Sequence, residues 1–164
     1  MYLTGSGQWK NAFRFSLLSV ACCLIAICGC AKSPPPMTEV SGVVMLDGQP
    51  LPQAKVEFCP VLKGFGAEMN STAITDDQGR FTLANSLTNV PGAVVCQHRV
   101  LITERATPAE FRSQDPQTQA RYAAFMAKLK NRPIPVPYGV LATAPLVEVK
   151  SDQKEYKIEL KRNP

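Results

Sequence analysis

The chain is poor in the side chains that do chemistry. Among its 164 residues there is one histidine, His98, and one tryptophan, Trp9. With a single imidazole, a zinc centre built on two histidines and a glutamate cannot be assembled. His98 lies between Gln97 and Arg99 in strand-like sequence, and is expected to be a half-exposed strand residue. No CxxC pair and no Cys/His cluster of metal-ligand spacing occurs. Asp76, Asp77 and Gly79 suggest calcium, but the run is too short and lacks the distal bidentate acid of a calcium loop, so a hairpin turn is expected instead. Charge is also modest: 19% of residues are charged and 45% hydrophobic, which excludes a wholly disordered chain and a polytopic membrane protein. The length allows one domain and an appendage. No metal, cofactor or catalytic activity is expected.

The amino end differs in kind from the rest. It carries Lys10 and Arg14 and no acid before an uncharged run of 17 residues, 15–31. A basic start followed by an apolar stretch of this length is the plan of a secretory signal peptide, and the run is at the short edge of what spans a bilayer. The sequence Ile27-Cys28-Gly29-Cys30 resembles the bacterial lipobox. That resemblance implies cleavage after residue 29 and a diacylglycerol (with palmitate-type acyl chains) on the thiol of Cys30, enough with two or three chains for stable membrane attachment. A retained single-pass anchor and cleavage without lipid are the alternatives. Both also put the domain outside the cytoplasm. Ala31 stands where an Asp would imply inner-membrane retention, which favours the outer membrane and a domain facing the periplasm.

Four of the six cysteines, Cys22, Cys23, Cys28 and Cys30, belong to the leader or its cleavage site. Only Cys59 and Cys96 remain. In an oxidising compartment they could bridge and close a loop of about 37 residues; two buried free thiols are the alternative. Loss of Lys10 and Arg14 with residues 1–29 lowers the net charge from +5 to +3. Basic residues are dense only at Lys128, Lys130 and Arg132 and in the tail 150–162, where acids alternate with them, so nucleic acid is not an expected partner. A pI near 9.0 would help the surface meet anionic headgroups.

Residues 30–38, with Pro34, Pro35 and Pro36, read as a lipidated cysteine and a tether that cannot join a sheet, because three successive residues lack amide donors. Residues 39–162 read as the domain. Strand-like runs fall at 40–46, 55–59, 71–75, 80–83, 94–103, 146–149 and 156–160, with turn chemistry at Asp47-Gly48, at 76–79, at 90–92 and near Ser151-Asp152. Alternation points Val56, Phe58, Phe81, Leu83, Tyr156, Ile158 and Leu160 inward. The pattern predicts an all-β fold, a seven-stranded antiparallel β-sandwich with a helical insertion at about 107–131. Asp115-Pro116 supplies an N-cap and N1 proline, and Tyr122, Phe125, Met126 and Leu129 fall on one helical face, expected to lie as a lid on the core. The prolines at 133, 135 and 137 enforce an extended return.

The runs 40–58 (VSGVVMLDGQPLPQAKVEF) and 75–83 (TDDQGRFTL) resemble the two opening motifs of carboxypeptidase-regulatory-like, transthyretin-type sandwich domains. Pro91-Gly92 before a long strand, and 134–138 (IPVPY) before 144–146 (APL), resemble small exported lipoproteins of planctomycete-type bacteria. This resemblance covers 40–161. It implies an accessory sandwich rather than a catalytic domain. Hydroxyisourate hydrolases share the architecture, but they end in Tyr-Arg-Gly-Ser and use more than one histidine, whereas this chain ends Lys161-Arg162-Asn163-Pro164.

The resulting expectation is a non-catalytic envelope lipoprotein with a structural, adhesive or scaffolding role, attached to the membrane through its lipid and meeting an envelope protein or glycan. The alternative is a binding protein for a peptide, glycan or small ligand in a groove between helix and sheet. A deep pocket under Tyr122, Phe125 and Tyr138 would favour that alternative, with the two tyrosines as stacking platforms in place of the lost tryptophan.

Overall fold

The computed structural model describes residue 33 and residues 35–163. The expected leader (1–29) and the expected lipid site Cys30, with residues 31, 32, 34 and 164, lie outside the described residues. Eleven strands are described: β1 (Met37–Thr38), β2 (Ser41–Leu46), β3 (Gln49–Pro50), β4 (Ala54–Pro60), β5 (Ser71–Ile74), β6 (Arg80–Thr82), β7 (Ala84–Asn85), β8 (Ala93–Val94), β9 (Gln97–Glu104), β10 (Leu146–Glu148) and β11 (Glu155–Leu160), with one helix, α1 (Pro116–Lys128). Strands make up 35% of the structure and helix 18%, so it is mainly β. No helix among the described residues is long and apolar enough to cross a membrane.

One sheet has the order β10-β9-β4-β5-β7, all antiparallel; in the other, β2 is flanked by β11 on one side and by β3 and β6 on the other. The alternating residues of both sheets meet in one core. Val56, Phe58, Val100 and Ile102 come from the first sheet, and Val44, Leu46, Phe81, Ile158 and Leu160 from the second, with all of these at most 5% exposed. Phe58 is central: it is fully buried, its ring centroid 6.1 Å from that of Phe81 and 5.5 Å from that of His98. Every inward position named from the alternation is buried. Residues 35–164 form one compact unit, and every member of this core lies between Val40 and Leu160.

Four expectations about the connections need correction. First, the pairing is not antiparallel throughout. β11 runs parallel to β2 over six register pairs, Glu155 with Ser41 to Leu160 with Leu46, because the first and last long strands of the domain lie side by side and point the same way. Their approach is close at Gly42, where a Cβ would stand 2.1 Å from the Tyr156 carbonyl oxygen and 2.8 Å from the Phe81 ring. Second, the turn at 76–79 is tight, with Asp76 accepting from Gln78 N and Arg80 N, yet β5 and β6 pair in different sheets. It is a corner between sheets. The strands 146–148 and 155–160 are likewise partners of β9 and β2, not of each other.

Third, the proline-rich segment does join the fold. A proline lacks a donor but keeps its acceptor, and the Pro36 carbonyl takes the Val95 N–H at 2.9 Å, after which Met37 and Thr38 pair with Val94 and Ala93. Gly92 makes room for this strand: its φ is +102°, and a Cβ there would stand 1.9 Å from the Thr38 carbonyl oxygen.

Fourth, the helix is not a lid on the core. α1 begins as expected, with Asp115 as N-cap accepting from Thr118 N at 2.8 Å and proline in the first turn. None of its residues is buried. Tyr122 and Phe125 instead pack on Phe111, ring centroids 5.5 Å away in each case, in the short 3₁₀ turn Ala109–Phe111. The excursion has its own small aromatic cluster, and its two ends return to one place. Arg105 donates to the Gln53 side chain, and Arg132 donates to the Pro52 carbonyl at 2.5 Å while pairing with Glu104 at 2.9 Å.

Two outcomes follow from this division of packing. Phe58→Ala will lower the unfolding free energy by about 3–5 kcal/mol in urea titration, as for other buried aromatic truncations. Asp115→Ala will diminish the helical circular dichroism at 222 nm but leave the cooperative transition of the β core where it was. The Asp115 carboxyl is held at about 2 by the Ser113 hydroxyl and the Thr118 amide. The cap is therefore complete above the usual aspartate range and is lost only as pH falls towards 2, so the helical signal of the parent chain will persist in acid until then.

Candidate functional site

The one imidazole is buried in the core. Alternation along β9 turns His98 to the side of Val100 and Ile102, and its exposure is 0%. It is not the half-exposed residue expected from its polar neighbours, since Gln97 and Arg99 belong to the opposite face. Nε2 lies 2.7 Å from the Val94 carbonyl oxygen, which makes it the protonated nitrogen, and 3.5 Å from Cys96 Sγ. Nδ1 is buried with no hydrogen-bond partner. Burial pushes the imidazole pKa down, opposed in part by the backbone at Val94 and Phe58. The ring is neutral at pH 7, packs on Phe58 and anchors the 94–98 bend.

Cys59 and Cys96 are free thiols. Cys59 is opposite Arg99 in the β4–β9 ladder and Cys96 lies in the bend before β9, and the structure holds both as free thiols rather than as the bridge offered as one alternative. Burial raises the pKa of both thiols, and for Cys59 the charge of Glu57 adds to it. Both are therefore protonated and weakly nucleophilic at neutral pH.

Among the described residues, a cavity of about 700 Å³ opens on the outer face of the five-stranded sheet around Cys59. Its floor is Cys59, Val61 and Leu62, and its far wall is Leu141 and Ala142. Arg99 positions that wall: Nη1 donates to the carbonyls of Ala142 at 3.3 Å and Ala144 at 3.0 Å, tying the 141–144 loop to β9. Leu146 is the partner of Arg99 on the other side, so it borders the same face. Val61, Leu141 and Leu146 are 53%, 53% and 50% exposed, and together they form an apolar patch held in fixed shape. A groove of about 660 Å³ crosses β2 between Arg80 and Lys157, and one of about 560 Å³ lies between Asp77, Lys130 and Arg162. Two smaller ones, about 250 Å³ each, flank Ile134 and Pro91. None of the five is lined by Tyr122, Phe125 or Tyr138. Tyr138 is packed against the core, its hydroxyl donating to the Lys161 carbonyl at 3.0 Å and accepting the Lys161 N–H at 2.8 Å.

No family model matches this chain, and neither a curated protein nor a solved structure matches it. The geometry alone speaks. Of the residues singled out by sequence, Cys59 lines the apolar groove, whereas His98 is buried in the core, Cys96 lies half-exposed in the bend before β9, and the Asp76 carboxylate is spent on its own turn. Cys30 lies outside the described residues. Among the described residues no group of three or more His, Cys, Asp or Glu side chains could hold a metal ion. Val61, Leu141, Leu146 and Arg99 were not singled out, because only the β4-β9-β10 pairing brings them together. What the groove offers is apolar contact with fixed walls.

His98 makes the fold sensitive to pH in one direction. A histidine kept neutral by burial takes up its proton in the unfolded chain first, so stability is full above about pH 6.5 and declines as pH falls below it, by at most about 1.4 kcal/mol per pH unit. The urea midpoint of the parent chain will drop between pH 7.5 and 5.5, and the drop will shrink in His98→Phe. An equal drop in both would assign the effect to another group.

Proposed function

We propose that this is a non-catalytic lipoprotein of the bacterial envelope, carrying one seven-stranded sandwich of the carboxypeptidase-regulatory-like, transthyretin type that serves as a docking or scaffolding module. The observation that carries this reading is the apolar groove around Cys59, half-exposed on Val61, Leu141 and Leu146 and held open by Arg99. An exposed apolar patch with rigid walls, bordered by a short edge strand, suits contact with another envelope protein. The Cys59 thiol in the groove has its pKa raised by burial, which suits binding rather than group transfer. The two opening motifs at 40–58 and 75–83, and a strand at each of the seven anticipated places, support the family reading. The basic leader and the lipobox-like Ile27-Cys28-Gly29-Cys30 support the lipid anchor at Cys30 and an outer-membrane address facing the periplasm. The alternative, a binding protein for a peptide, glycan or small ligand in a groove between helix and sheet, draws less support, since Tyr122 and Phe125 stack on Phe111.

The reading is tested in two arms. Radiolabelled palmitate will enter the native chain and not Cys30→Ala, and equal labelling of both, or of neither, refutes the anchor. A photo-reactive residue at position 61 or 141 will give a discrete crosslinked species in intact envelopes, and one at position 157, on the outer face of the other sheet, will not. Equal patterns from both faces refute the docking role of the groove.

A further inference from the structure

We propose that the helical excursion between Arg105 and Arg132 is an arm that settles on an anionic lipid surface; this rests on the envelope-lipoprotein reading and names the surface that it meets. Charge is the first observation. Residues 105–132 hold six cations (Arg105, Arg112, Arg121, Lys128, Lys130, Arg132) against two acids, Glu110 and Asp115, a net of +4. The rest of the described chain has nine cations and eleven acids, a net of −2. The positive charge of the domain is therefore concentrated in the arm. Arg105 and Arg132 are used to hold its ends to the turn at 52–53. Arg121, Lys128 and Lys130 project outwards and are exposed, and Lys128 and Lys130 have no ion-pair or hydrogen-bond partner among the described residues. Arg121 and Lys128 are seven residues apart, so they share a side of α1.

Packing is the second observation. The apolar stripe of α1, Tyr122, Phe125, Met126 and Leu129, is only half-buried, with Tyr122 and Phe125 packed on Phe111 from a neighbouring turn. Arg121 also lies over the Phe111 ring, 5.9 Å from its centroid. A short amphipathic helix with aromatic residues on one side and cations beside them has the composition that lies in the headgroup region of a bilayer. Each cation near such a surface contributes attraction that fades within a Debye length, so the arm must be held close to be effective.

Reach is the third observation. The fold begins at Pro36, whose carbonyl is already bound to Val95. An anchor at Cys30 would leave six residues of lead, no more than about 22 Å when fully extended. A lead this short keeps the domain at the bilayer. Because the arm is rooted at the 46–53 end of the fold, away from Ser41 where the chain enters, it meets the headgroups with β2 lying along the surface.

The test uses the chain from Ala31 onwards, which lacks the lipidated cysteine and contains the whole compact unit. It is floated with vesicles of phosphatidylcholine alone and of phosphatidylcholine mixed with phosphatidylglycerol, at low and high salt. The expected result is retention on the phosphatidylglycerol vesicles, lost at high salt, and weakened at least about tenfold in Lys128→Glu/Lys130→Glu. The control Lys150→Glu/Lys157→Glu, an equal charge change outside the arm, is expected to bind within about twofold of the parent. Equal retention on both vesicles, none on either, or equal loss in both double variants overturns the proposal, as does capture by heparin or DNA without vesicle binding. Because Cys30 is absent, failure of the arm is read separately from failure of the anchor, which palmitate labelling reports.

Discussion

The domain depends on the contact between its first and last long strands. β2 is the only strand of its sheet with neighbours on both sides, and its parallel pairing with β11 brings both ends of the fold into one ladder. The approach is possible because Gly42 has no side chain; any Cβ would collide with the Tyr156 carbonyl and displace the ring of Phe81. That ring in turn packs on Phe58, and Phe58 on His98. A line of close contacts thus runs from the sheet bearing the chain ends, through the core, to the strand that supports the apolar groove. Alanine at position 42 would be felt along the whole of it.

What the sequence disclosed, and what it did not, follows from the range of each signal. The alternation of Tyr156, Ile158 and Leu160 with charged neighbours reports which side of a strand is wet, and the Asp115-Pro116 pair reports where a helix starts; both are local properties. Asp76-Asp77-Gln78-Gly79 reports only that the chain reverses. It carries no information on whether the returning strand pairs with the one just left or crosses to the other sheet, so the corner looked like a hairpin. The helix stripe reports that Tyr122 and Phe125 need cover, not that Phe111, ahead of the helix, provides it. His98 was legible by parity with Val100 and Ile102, and its polar neighbours concealed that. The groove could not be seen at all, because Cys59, Arg99 and Leu141 lie some eighty residues apart and meet only through strand pairing.

The cavities and charges divide the surface by chemical character. The five-stranded sheet presents an apolar patch on its outer face, walled by a loop that Arg99 ties down through backbone carbonyls. The excursion at 105–132 concentrates positive charge on an element that contributes nothing to the core, while the sheets carry a small excess of acid. The two features stand on separate elements, so a change in one need not disturb the other.

Parallel terminal strands also have a mechanical consequence. The chain enters β2 at Ser41 and leaves β11 at Leu160, at opposite ends of the same ladder. Tension between the two termini would slide one strand along the other and strain all six register pairs together, instead of peeling them apart one after another. A domain built this way, held at one end of its chain and loaded at the other, resists being pulled open along the line between them.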